Sequence, residues 1–134
     1  MTQDNIEFVR SVYDLFAQGD VPAVLDAMDP AIEWNEAENF PYADGNPYVG
    51  PQAVLDGVFM RLGSEWEYWN LDIHDVIGAG DVVIACGRYK AKNKETGRDL
   101  DAQFAHFWGL RDGKLAKFQQ YADTYQAMAA VAVD

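Results

Sequence analysis

The 134-residue chain has a formal net charge of −12, is 49% hydrophobic and 13% aromatic, and holds one cysteine, Cys86. Its length and apolar share suit one globular domain with its own core, while its charge repels nucleic-acid phosphates and anionic membrane surfaces. No apolar run approaches the ~20 residues of a membrane span, no internal disulfide can form, and MTQDNIEFVR puts acids where a secretory leader needs bases, so the expected setting is the cytoplasm.

Residues 4–18 predict a helix, with Ile6, Val9, Tyr13 and Phe16 on one stripe, Asp4 as cap and Gly19 as stop. A phenol on such a stripe can aim its hydroxyl into a cavity, so Tyr13 is a candidate pocket residue. Asp20 can cap a second, short helix with Pro22 in its first turn; Val24, Leu25 and Met28 give it an apolar face, and Pro30 ends it. Residues 31–37, AIEWNEA, predict a short strand whose alternation puts Ile32, Trp34 and Glu36 on one face. If that face is inward, Glu36 sits in an apolar site that raises its pKa and suits it to acid–base work. If the strand ends first, Glu36 lies in water.

Residues 37–50, AENFPYADGNPYVG, are irregular and aromatic, with Phe40, Tyr42 and Tyr48 as anchors. Such a loop folds over something, either a pocket mouth or a second subunit. Pro51 then opens a helix with Val54, Leu55, Val58, Phe59 and Leu62 as its buried stripe and Gly63 as its stop. Strands follow over about 66–78 and 82–94, turned at 79–81 and 95–97. His74 lies among Asp72 and Asp75 and reads as a surface histidine. Cys86, after Val83, Ile84 and Ala85, reads as a core residue. The two histidines, His74 and His106, have no metal-ligand spacing, and no phosphate loop, GxSxG elbow or Cys–His pair is present. No metal and no cofactor is expected.

FAHFWGLRDGKLAKFQQYAD, residues 104–123, predicts a hairpin turning at Asp112-Gly113. A type I′ turn sets Arg111 opposite Lys114 and Leu110 opposite Leu115. Counting outward sets His106 opposite Gln119, Trp108 opposite Lys117 and Phe104 opposite Tyr121. One face then carries Phe104, His106, Trp108, Gln119, Tyr121 and Asp123. It mixes aromatics with an imidazole, an amide and a carboxylate, as a pocket wall does. A single bulge in the last strand would bring in Gln120 for Gln119. Trp34, Tyr42 and Phe59 complete the expected lining. Helices first and then a strand meander make the chain α+β. The close, 124–133, is a short helix or packed tail.

The order of elements, the WNEAENFPY segment, the GPQAVLDGVF helix and the closing RDGKLAKFQQYAD resemble the SnoaL-like family of the nuclear transport factor 2-like superfamily. That superfamily also holds ketosteroid isomerases and limonene epoxide hydrolases. The resemblance spans nearly the whole chain, 1–134, as a single domain. It implies a cone: a curved antiparallel sheet packed on three N-terminal helices around an apolar cavity, paired as a homodimer through the outer sheet face. It makes His106 the counterpart of a histidine lining the active site of the family's polyketide cyclases. Gln120 falls where those cyclases have an aspartate general base, and glutamine cannot take that role. Asn35 falls where the isomerases have their catalytic aspartate, with Glu36 beside it. Tyr13 stands near the place of their oxyanion tyrosine. The aspartate–arginine–aspartate spacing of the epoxide hydrolases is missing from Arg98-Asp99-Leu100-Asp101. Asp123 matches an acid at the end of the last strand, either catalyst or helix cap. Fold does not fix activity here. The resemblance allows an isomerase- or cyclase-like enzyme acting on a small aromatic or polycyclic carbonyl compound through His106, Asp123 and Glu36. The alternative it allows is a non-catalytic carrier with the same cavity, and a further one is an epoxide hydrolase-like protein.

Overall fold

A computed structural model describes residues 2–133. Helices α1 (Thr2–Ala17) and α2 (Val21–Asp26) lead into β1 (Met28–Asn35) and, after a loop, β2 (Tyr48–Val49). Next come α3 (Pro51–Val54), a π-helical turn (Leu55–Phe59) and α4 (Met60–Glu65). The long strands β3 (Trp66–Ala79), β4 (Val82–Asn93), β5 (Asp99–Arg111) and β6 (Lys114–Ala122) follow, and α5 (Thr124–Val131) closes the chain. The strands form one curved sheet in the order β2-β1-β6-β5-β4-β3. The chain is therefore α+β, as its sequence predicts. The four long strands make the antiparallel meander. One pairing departs from the expected antiparallel sheet: β1 runs parallel to β6, filling the edge that the meander leaves open.

The local reasons are visible. Asp20 caps α2, its Oδ1 accepting from the Ala23 N–H at 3.2 Å, with proline in the first turn. Pro51 opens α3, where its missing N–H costs nothing. Gly63 does not stop the helix, which runs on to Glu65. Along β4 and β5 burial alternates residue by residue, so each strand has one inner and one outer face. The inner face packs on α1 and the α3–α4 stretch through Val9, Val12, Val54 and Val58. Each fully buried aliphatic side chain contributes about 1.5–3 kcal/mol to burying this core. Cys86 is not in that core. It is half-buried, opposite Ala105 on the outer face.

Asp112 and Gly113 both have positive φ, 51° and 74°, as a type I′ turn requires. Leu110 pairs with Leu115 and Arg111 with Lys114, as predicted. The register then shifts between Gly109 and Leu110, where Ala116 is the extra residue of a bulge. Glycine within a strand often marks such a site. From there outward His106 faces Gln120, Trp108 faces Phe118 and Phe104 faces Ala122.

The 37–50 loop is pinned to the body. Phe40, Tyr42 and Tyr48 are buried. Tyr42 donates to Glu65 at 2.6 Å and accepts from the Trp66 indole at 2.9 Å. Tyr48 donates to the Tyr42 carbonyl at 2.7 Å. Arg61 clamps Asp44 through two hydrogen bonds of 2.8 and 3.0 Å and lies 4.2 Å over the Tyr42 ring. Asn46 brackets the Glu36 backbone, accepting from its N–H at 2.9 Å and donating to its carbonyl at 2.8 Å.

Candidate functional site

The inner sheet face, α1 and the α3–α4 stretch surround a pocket of about 60 Å³. Its walls are aromatic: Trp34 stacks on Phe118 at 3.8 Å and meets Trp108 and Phe59 edge-on at 5.7 and 5.6 Å. Three strands and one helix supply five of its polar side chains. Alternation on β5 turns His106 and Trp108 inward, the bulge brings Gln120 beside them, β4 supplies Tyr89, and the α1 stripe supplies Tyr13.

These five side chains form one hydrogen-bonded chain. The Trp108 indole donates to the Tyr13 hydroxyl at 2.8 Å. Tyr13 and Tyr89 hold the two ring nitrogens of His106, Nδ1 at 2.7 Å and Nε2 at 2.5 Å. The Gln120 amide donates to the Tyr89 hydroxyl at 2.8 Å, while its carbonyl accepts from the Ala37 N–H at 3.0 Å. Phe104 backs the imidazole, stacked at 4.1 Å. Burial pushes the His106 pKa down to about 3, so the ring is neutral at physiological pH. Burial raises Tyr13 above the usual phenol range, against the opposing pull of the Trp108 N–H. It raises Tyr89 as well, and the nearby Glu36 charge adds to the effect.

Glu36 continues the β1 alternation past the strand end and is 3% exposed. The Trp34 indole donates to its Oε2 at 3.0 Å. Burial raises its pKa to about 8, with the Trp34 hydrogen bond and the Arg61 charge acting the other way. Glu36 is therefore mostly a neutral carboxylic acid at pH 7 with an accessible ionised form. That is the state expected of a group exchanging protons near neutrality.

Of the residues predicted for the site, the structure brings together Tyr13, Trp34, Glu36, Phe59, His106, Trp108 and Gln120. Six others lie outside the pocket lining. Asn35 points away from Trp34 and Glu36 and pairs with Gln119 at the β1–β6 seam. The bulge turns Gln119 and Tyr121 outward, leaving Tyr121 58% exposed. Phe104 is inward but sits behind the imidazole. Tyr42 anchors the loop. Asp123 caps α5, accepting from the Gln126 N–H at 3.1 Å and the Gln126 amide at 2.7 Å, and these bonds lower its pKa. His106 lines the pocket, and both its ring nitrogens are engaged by tyrosine hydroxyls. Sequence reasoning missed Tyr89 and Phe118. Tyr89 carried a signal, since Val83, Ala85 and Ala91 share its parity on β4. Among the described residues no group of three or more histidine, cysteine or acidic side chains could hold a metal. No helix among them is long and apolar enough to cross a membrane.

The SnoaL-like domain profile matches residues 9–118. Patulin synthesis protein F of Aspergillus clavatus is 27% identical over 95 residues, which cover 70% of this chain and 48% of that protein. The chain thus spans about half the length of this curated relative. An NTF2-like protein of Burkholderia thailandensis superposes with a TM-score of 0.91 at 32% identity, over 99% of both chains. TerC, co-crystallised with polyporic acid, superposes with a TM-score of 0.83 at 24% identity, over 94% of this chain and 96% of its own; at that identity it speaks for the fold alone.

Proposed function

The chain belongs to the SnoaL-like domain family, and from that premise we propose that its inner pocket binds a small, mostly apolar carbonyl compound and exchanges a proton with it at Glu36. The observation that carries this reading is a carboxyl buried in an aromatic pocket with a pKa of about 8. In its ionised form Glu36 takes a proton from the carbon next to the carbonyl. The C–H electron pair moves into the enolate, and a tyrosine hydroxyl donates a hydrogen bond to the oxygen. Return of the proton from Glu36 to the same or another carbon regenerates a ketone, so the step needs no cofactor. The flat aromatic walls favour aromatic or polycyclic ligands.

A second reading is a binding protein without turnover. It is favoured by Gln120, which stands where the family resemblance calls for an acid and whose amide accepts from Ala37 and donates to Tyr89. On either reading the protein is a cytoplasmic homodimer joined through the outer sheet face. Ile84 and Phe107 lie opposite each other there, and Phe107 is 40% and Tyr121 58% exposed.

The test is deuterium exchange at the methyl group of acetophenone in D2O, followed by proton NMR. Wild-type protein is expected to speed exchange. Glu36→Gln loses that effect and keeps binding, and Asp123→Asn leaves both unchanged. Wild-type binding without exchange selects the second reading. Absence of binding by any aromatic ketone defeats both.

A further inference from the structure

We infer that Tyr13, His106 and Tyr89 act as one unit that presents a single hydroxyl donor to the pocket, carried by whichever tyrosine receives the His106 N–H, so that the pocket takes neutral aromatic ligands bearing an acceptor oxygen. The inference about ligands rests on the reading of this pocket as a ligand site; the proton count beneath it does not.

Two donors are fixed by chemistry. The Trp108 indole nitrogen can only donate, and it donates to the Tyr13 oxygen. The Ala37 backbone N–H can only donate, which turns the Gln120 carbonyl toward it and the Gln120 NH2 toward the Tyr89 oxygen. Both phenol oxygens are thus already acceptors. His106 is buried, and the partners of its two nitrogens are hydroxyls rather than carboxylates. Burial holds its pKa at about 3, and Glu36 is the carboxyl that shares its pocket. A neutral ring carries one N–H and one bare nitrogen.

Two hydroxyl protons and one ring proton therefore serve two links, Tyr13–His106 and His106–Tyr89. One hydroxyl proton is left over. It belongs to the tyrosine that accepts the ring N–H, and both tyrosines border the pocket. Moving the ring proton from Nδ1 to Nε2 moves the free hydroxyl from Tyr13 to Tyr89. Protonated Glu36 adds a second donor. Its Oε2 accepts from Trp34, and its Oε1 makes no hydrogen bond among the described residues. A pocket with two donors and no charge is completed by an accepting ligand. A ligand that only donates sets proton against proton, and an ion finds no countercharge.

Ligand-free protein labelled with 15N-histidine reads the ring directly, with His74→Gln separating the two histidine signals. In Tyr89→Phe, the ring N–H keeps a partner only by donating to Tyr13, so the Nδ1–H tautomer is expected. In Tyr13→Phe, the Nε2–H tautomer is expected for the same reason, since a buried unpaired N–H is costlier than a bare nitrogen. The same tautomer in both variants overturns the inference. So does a wild-type ring protonated on both nitrogens at pH 7, a result that needs no variant to fold. For the ligand class, wild-type protein is expected to bind acetophenone about three- to tenfold more tightly than ethylbenzene. Equal binding overturns the class. Binding of neither removes the pocket reading and the ligand class with it, while the tautomers still decide the proton count.

Discussion

Replacing Glu36 by glutamine should stabilise the protein at alkaline pH. In the folded chain the carboxyl pKa is raised from 4.5 to about 8, chiefly by burial. The unfolded chain holds its Glu36 proton less tightly, so the folded state is favoured while the group stays protonated. The sign is therefore fixed: this contribution is fully present below about pH 4.5 and is lost as pH rises through about 8. At about 1.4 kcal/mol per pH unit, the window corresponds to roughly 3–5 kcal/mol, a large part of the 5–15 kcal/mol typical of a folded domain. Glutamine mimics the neutral acid: its carbonyl can still accept from the Trp34 indole, and it cannot ionise. Urea unfolding of both proteins from pH 4.5 to 9 measures the difference. The curves should nearly meet at the acid end and separate steadily above it, with the glutamine variant the more stable. His106 has a lowered folded pKa, so its contribution is lost as pH falls below about 6.5. That loss is common to both proteins and cancels. Parallel curves across the range would refute the argument and with it the buried acid as the centre of the site.

Two further outcomes follow from packing. A Cβ on Gly57 would overlap the Tyr48 ring, which also packs close to Gly45, so Gly57→Ala should lose about 1–3 kcal/mol in urea unfolding despite alanine's better helix propensity; an unchanged midpoint counts against it. Sedimentation equilibrium at micromolar concentration should show a dimer for the wild type and a monomer for Phe107→Glu; a monomeric wild type sinks the outer-face interface.

The parts of the fold governed by local rules were legible in the sequence. Asp112-Gly113 specified its turn, the helix stripes specified their faces, and alternation alone turned Trp34, Glu36, His106 and Trp108 toward the same interior. The parts that depended on one residue more or less were not. The bulge at Ala116 has no signature beyond Gly109, yet it exchanges Gln119 and Tyr121 for Phe118 and Gln120. A register error of one residue inverts a strand face, so half of the predicted hairpin wall fell on the wrong side. Tyr89 escaped because a tyrosine among Arg88, Lys90 and Lys92 looks like a surface residue until its strand is seen to be covered. Asp123 was read as cap or catalyst, and the choice turned on where β6 ends, which no local pattern fixes.

The π-helical turn at Leu55–Phe59 also settles a matter of phase. In an unbroken α-helix, residues spaced by four drift about 40° per step around the axis, so Val54, Val58 and Leu62 would be spread over about 80° of one helix face. A wider revolution takes more residues to close and absorbs that drift. All three side chains are buried, and Val58, Leu62 and Phe59 line the pocket. Shortening this turn by one residue would leave every downstream side chain correct in identity and wrong in bearing.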